Sequence, residues 1–195
     1  MNGSNMNLRD LVILVADASS YMTMLIHSML RGFGANKVIE VRNSIHVLQV
    51  LSAQRTDILI CDSRIPSIGG LKLTRAIRGK VDNEHRTVPI ILMSSDSSEI
   101  MIKHARDAGA NMVIAKPISP ASLYDRLNWV AFNLRKFVDT ENYFGPDRRF
   151  KIEGYPGGVG RRKGDKVVEV AEESGPALAQ GDIDSLFSAV RTGQE

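Results

Sequence analysis

Asp57-Ile58-Leu59-Ile60-Cys61-Asp62 decides the fold of this 195-residue chain. Its short apolar run ends on a carboxylate, the pattern of a strand buried on both faces of a parallel sheet. Two other runs end in the same manner. Leu11 to Val15 is followed by Ala16-Asp17, and Met112 to Ala115 by Lys116-Pro117. Parallel strands need crossover helices, and their carboxyl ends line up along one rim. Asp17, Asp62 and Lys116 would then meet there. Two carboxylates and an ammonium on one rim suit a divalent cation and a phosphoryl group.

The intervening residues supply the crossovers. Ser19 or Ser20 caps a helical pattern through Met22, Leu25, Ile26, Met29 and Leu30, ended by Gly32 and Gly34. Val38 to Val41 reads as a strand and Ser44 to Ala53 as a helix. Pro66 and Gly69-Gly70 mark a turn before a helix from Leu71 to Arg78. A polar stretch from Gly79 to Thr87 reads as a loop. Val88 to Met93 is a fourth strand and Ser97 to Ala108 a helix stopped by Gly109. Ser119-Pro120 starts a last helix, expected to run to about Val138. Five strands alternating with five helices predict an α/β fold, a doubly wound five-stranded parallel sheet of order 2-1-3-4-5.

With 43% hydrophobic and 24% charged residues, the chain suits one soluble domain with residues to spare. It contains no run of eighteen apolar residues, so no membrane span is expected, and the polar Met1 to Asn7 is no secretory signal. A lone cysteine, Cys61, in a central strand reads as a buried structural thiol and fits a reducing cytoplasm. His27, His46, His85 and His104 are dispersed, without ligand spacing.

Charge is uneven along the chain. Residues 144–166 hold seven basic and three acidic residues, whereas 167–195 hold one basic and six acidic. Such alternation points to a partner-binding or self-associating tail more than to a nucleic-acid binder. Glycine and proline recur through 139–181, so the domain is expected over 9–138 and a flexible linker over 139–181. Ile183, Leu186, Phe187 and Val190 then restore a helical period, predicting a short amphipathic helix over 182–191.

Asp17, the Asp57–Asp62 run, Ile65-Pro66 with Gly70, Ser94 and Lys116-Pro117 together resemble the motifs of CheY-like response-regulator receiver domains. The resemblance covers roughly residues 9–138. It implies that Asp62 is the phosphoacceptor, and that Asp17, Asp62 and the backbone carbonyl of Arg64 hold Mg²⁺. It further implies that Ser94 and Lys116 contact the phosphoryl group, that Lys116-Pro117 is cis, and that a histidine kinase or phosphotransfer protein is the donor. The implied protein is cytoplasmic and has no catalysis beyond handling its own phosphoryl group.

Four departures from the family pattern bear on chemistry. Ala16 replaces the first of two adjacent acids, so Mg²⁺ is expected to bind more weakly. Gly69 stands where an aspartate is usual before Gly70. Arg64 and Asp96 occupy positions flanking the attacking water and are expected to pair across the pocket. Val113 replaces an aromatic switch residue, so output is expected to use backbone or helix shifts.

Within receivers, Ala105 to Gly109, Leu123 to Arg126 and Tyr143-Phe144-Gly145-Pro146-Asp147-Arg148-Arg149 are similar to short bacterial receivers with Arg-rich tails. That likeness implies no DNA-binding domain. It raises an alternative: a cyclic di-GMP-binding or phosphorylation-independent adaptor, with Arg148, Arg149, Arg161 and Arg162 as the nucleotide site. Guanidinium groups suit it, forking onto phosphate or a guanine edge. Residues 178–187 resemble the N-terminal peptide of the flagellar switch protein FliM, which docks on CheY. They suggest a tail that binds a receiver, its own or another, in chemotaxis or motility.

Overall fold

The structure, a computed structural model, describes residues 8–79, 84–132, 135–148 and 166–168. Strands β1 (Val12–Ala16), β2 (Lys37–Val41), β3 (Ile58–Asp62), β4 (Ile90–Ser94) and β5 (Met112–Ala115) alternate with helices α1 (Ser20–Gly32), α2 (Ser44–Ala53), α3 (Gly70–Gly79), α4 (Glu99–Ala108) and α5 (Pro120–Phe132). The five strands form a sheet of order β2-β1-β3-β4-β5, all parallel. This is the arrangement expected from the sequence.

Side-chain alternation explains why β3 is apolar throughout. Ile58 and Ile60 face the layer of α1 and α5, against residues such as Ile26, Leu30, Leu123 and Leu127. Leu59 and Cys61 face the opposite layer, with Val47 of α2 and Leu73 and Ile77 of α3. Every residue of β3 and β4 is buried. With both faces covered, each apolar side chain contributes about 1.5–3 kcal/mol, and no position is left for a polar one until the strand ends.

Local signals set the helix starts. Ser19 Oγ accepts from Met22 N, Asn43 Oδ1 from His46 N, and Ser98 Oγ from Met101 N. The polar stretch before β4 contains a 3-10 turn over Glu84–Thr87.

Beyond α5 the structure departs from expectation. The last helix ends at Phe132, short of Val138. Phe137–Thr140 (β6) and Tyr143–Pro146 (β7) form an antiparallel hairpin where the end of that helix and a flexible linker were expected, and Lys166–Val168 (β8) adds to β6 on its other side. The cause is tertiary. Phe137 and Phe144 stack on the guanidinium groups of Arg78 and Arg86, with centroid distances of 5.1 and 3.5 Å. The short strands are paired over arginines supplied by the domain. The segments 178–187 and 182–191 lie outside the described residues.

Candidate phosphoacceptor site

The register of the sheet assembles the site. Ala16 pairs with Cys61, Asp62 with Met93, and Ser94 with Ala115. Asp17 therefore follows β1 at the level where Asp62 ends β3, on adjacent strands. Ser94 ends β4, and Lys116 N–H donates to Ser94 O at 2.8 Å just beyond β5. Strand order reverses between β1 and β3, so the two carboxylates sit at the topological switch point.

Lys116 is long enough to reach across β4. Its Nζ donates to Asp17 Oδ2 at 2.6 Å and to Asp62 Oδ1 at 2.9 Å. All three side chains are largely shielded from water. The remaining carboxylate oxygens are also held: Asp17 Oδ1 accepts from Ser19 N at 2.9 Å, and Asp62 Oδ2 from Arg64 N at 3.2 Å. Burial alone would pull the Lys116 ammonium down. The hydrogen bonds that it donates to Asp17 and Asp62, with their charges, outweigh it and leave Lys116 above its ordinary value. Lys116-Pro117 is cis.

Ser94 is buried and its hydroxyl is already engaged. Ser94 Oγ accepts from Asp96 N at 3.1 Å and from Ser63 Oγ at 3.3 Å. Ser63, which the sequence reading left unmarked, is the neighbour of Asp62 and enters the site through this contact. Arg64 does not pair with Asp96. Its guanidinium donates to Ser95 Oγ at 3.1 Å, and Asp96 Oδ1 accepts from Ser98 N at 2.9 Å. Asp96 is drawn into the turn that starts α4, so its carboxylate serves local backbone instead of crossing the pocket. The Ser98 hydrogen bonds hold it below the usual carboxylate range.

The loop after Asp62 is tightly wound. Gly70 N–H donates to Ser63 O at 2.9 Å. A Cβ on Gly70 would lie 2.5 Å from the Asp62 carbonyl oxygen and 2.9 Å from Ser63 Cα. Backbone on both sides leaves no room for a side chain. Gly70→Ala is expected to cost about 1–3 kcal/mol, as overpacking does. Urea unfolding measures it, and an unchanged midpoint would show that the loop yields freely.

Cys61 takes no part. It is buried, and that burial, with the charges of Asp62 and Asp17, pushes its thiol far above the usual range. Arg148, a candidate for the alternative nucleotide site, has internal partners. Its Nη1 donates to Asp107 Oδ1 at 2.9 Å and its guanidinium lies 4.0 Å from the Tyr143 ring centroid. One edge and one face are thus occupied by the hairpin and α4. Arg149, Arg161 and Arg162 lie outside the described residues.

For a cation, the donor set is two carboxylates and nearby backbone oxygen. No group of three or more His, Cys, Asp or Glu forms among the described residues. The set is all oxygen and incomplete without water, which fits a hard cation such as Mg²⁺. Two carboxylates against one ammonium also leave an excess negative charge at the rim.

The family model for the response regulator receiver domain matches residues 13–128, more than half of the chain. The chain belongs to the response regulator receiver family. Receiver domains are phosphoacceptor signalling domains. Over 119 residues this one is 32% identical to chemotaxis protein CheY1 of Helicobacter pylori (strain J99), covering 60% of this chain and 94% of that one. Over 120 residues it is 28% identical to chemotaxis protein CheY-3 of Vibrio cholerae, covering 62% and 91%. Among solved structures it is similar to the receiver domain of the sensor histidine kinase PA1611 of Pseudomonas aeruginosa, which holds a magnesium ion in its active site cleft. That likeness has a TM-score of 0.54 at 29% identity and covers 65% of this chain and 96% of that one. The hairpin lies beyond the matched residues. No helix among the described residues is long and apolar enough to cross a membrane.

Proposed function

We propose that this receiver is a response regulator that accepts a phosphoryl group on Asp62 from the phosphohistidine of a histidine kinase or phosphotransfer protein. The observation that carries this reading is the convergence of Asp17 and Asp62 on the Lys116 ammonium at the rim of the sheet. A carboxylate oxygen of Asp62 attacks phosphorus and the phosphorus–imidazole nitrogen bond breaks. The ring keeps the electron pair and takes up a proton.

Attack by an anion on an anion needs neutralisation. Mg²⁺ held by Asp17, Asp62 and the backbone carbonyl of Arg64 would supply positive charge that one lysine cannot. Lys116 stands where it can pair with a phosphoryl oxygen after transfer, acting as a compact cation. The Ser94 hydroxyl turns to donate to another. Ala16 removes a nearby acid, so Mg²⁺ affinity is set below that of receivers with two adjacent acids. The likeness to chemotaxis proteins supports output through protein contacts in motility signalling.

Acetyl phosphate with Mg²⁺, followed by intact mass measurement, tests the reading. The full chain is expected to gain one phosphoryl group, and Asp62→Ala none. No gain in the wild type, or the same gain in the variant, would overturn it.

A further inference from the structure

The hairpin and the phosphoacceptor site are tied to opposite ends of the same helix. At the near end, Ser94 Oγ accepts from Asp96 N, Asp96 Oδ1 from Ser98 N, and Ser98 Oγ from Met101 N in the first turn of α4. The start of α4 thus hangs from the Ser94 hydroxyl through three consecutive hydrogen bonds. At the far end, Asp107 Oδ1 accepts from Arg148 Nη1, directly after β7. Arg148 stacks on Tyr143, whose hydroxyl donates to Pro146 O at 2.7 Å. Gly109, the left-handed cap of α4 at φ +96°, meets Gly145 of β7. A Cβ on Gly145 would lie 2.6 Å from the Tyr143 hydroxyl and 3.0 Å from Gly109 Cα, so β7 packs closely on the cap of α4.

Between these ends, α4 is weakly seated. Its buried residues are Met101, Ala105 and Ala108, of which two are small. Ile100 and Ile102 point to solvent, 68% and 48% exposed. Its C-terminal cap is anchored, Gly109 O accepting from Arg78 Nε at 3.0 Å, so the start of the helix is the part that moves at low cost. The hairpin is held elsewhere by firmer contacts. Phe137 lies on the buried Arg78 of α3, and Phe144 on Arg86 of the 3-10 turn. The hairpin therefore joins a helix whose start can move to a fixed part of the domain, and its half-buried link is the Asp107–Arg148 pair.

We infer that the β6–β7 hairpin reports the state of Asp62 by releasing the end of α4 when the site is loaded. This rests on the reading of Asp62 as phosphoacceptor. A phosphoryl group on Asp62 draws Ser94 Oγ toward one of its oxygens and away from Asp96 N. Asp96 N then loses its acceptor, and the start of α4 loses its tether. The helix shifts, and the Asp107–Arg148 pair is the contact that gives way. The released element is the strand pair that leads into the remainder of the chain, so the signal is delivered to the tail. Coupling is reciprocal: a latch broken by loading must oppose loading.

Hydrogen exchange on the full chain, with beryllofluoride and Mg²⁺ as the phosphoryl mimic, tests this. Amides of residues 138–145 are expected to exchange severalfold faster when the mimic saturates, with no change in Asp62→Ala. Arg148→Ala and Asp107→Asn, each breaking the latch from one side, are expected to tighten beryllofluoride binding about two- to fivefold, the equivalent of a surface ion pair. If peptides spanning Ser94 and Lys116 respond while 138–145 does not, the inference is overturned and the phosphoacceptor reading stands. Wild-type affinity in both latch variants also overturns it. No response anywhere overturns the reading of Asp62, and the inference with it.

Discussion

Lys116→Met is expected to lower stability by about 3–5 kcal/mol at neutral pH, the scale for removing one partner of a buried ion pair. The arrangement explains the size. Among the described residues Lys116 is the sole cation bonded to both Asp17 and Asp62, and without it two shielded carboxylates face each other. Asp62→Asn acts in the opposite sense. It removes one of the two negative charges and leaves the Lys116–Asp17 contact, so it is expected to be neutral or slightly stabilising. Urea unfolding of the two variants checks the asymmetry, and equal destabilisation would contradict this account. The pH dependence follows from the same triad. Lys116 is held above its ordinary value in the folded chain. Its contribution is complete below about pH 10.4, the unfolded value, and is lost as pH rises through the folded one. The wild type is expected to lose stability on this alkaline limb more steeply than Lys116→Met.

Arg78→Ala is expected to cost about 3 kcal/mol and to detach the hairpin. Arg78 is buried, at 2% exposure. Its Nε donates to Gly109 O at 3.0 Å, Nη1 to Arg86 O at 2.7 Å and Nη2 to Asn111 Oδ1 at 3.0 Å. Burial pulls the guanidinium below its ordinary value, yet its intrinsic basicity keeps it charged at neutral pH. Truncation leaves the Gly109 and Arg86 carbonyls without this donor, at about 1–3 kcal/mol each. It also removes the surface on which Phe137 stacks. The expected signs are a lower urea midpoint and faster proteolysis within 137–146. Arg78→Lys is expected to recover only part of the loss, because one ammonium cannot span three acceptors fixed by a planar fork. A variant with wild-type protection of the hairpin would show that Arg86 and Arg148 suffice to hold it.

The convergence of Asp17, Asp62 and Lys116 was legible because strand ends carry a strong local signal. An apolar run that stops at a charged residue marks both the element and its edge. The register does the rest, since parallel neighbours with helical crossovers share one carboxyl rim. The engagement of Arg64 was not legible. A guanidinium on a flexible stem chooses among several partners, and Ser95 and Asp96 are adjacent in sequence. The turn into α4 claimed Asp96 and left Ser95 to Arg64.

The hairpin was less legible still. Tyr143-Phe144-Gly145-Pro146 carries turn formers, and no local pattern distinguishes it from a linker. Its glycine is required because the Tyr143 ring lies over it and the backbone of Gly109, thirty-six positions earlier, lies against it.

By itself, the sequence determined the five strands, the five crossover helices and the acidic and basic groups on their shared rim. These follow from burial and from the period of the side chains, which are local properties. Only the tertiary structure decided that Arg78, Arg86 and Asp107 hold a hairpin against the domain. Cation–aromatic and ion-pair contacts link residues distant in the chain, and their free energy exists only once the fold has brought them together.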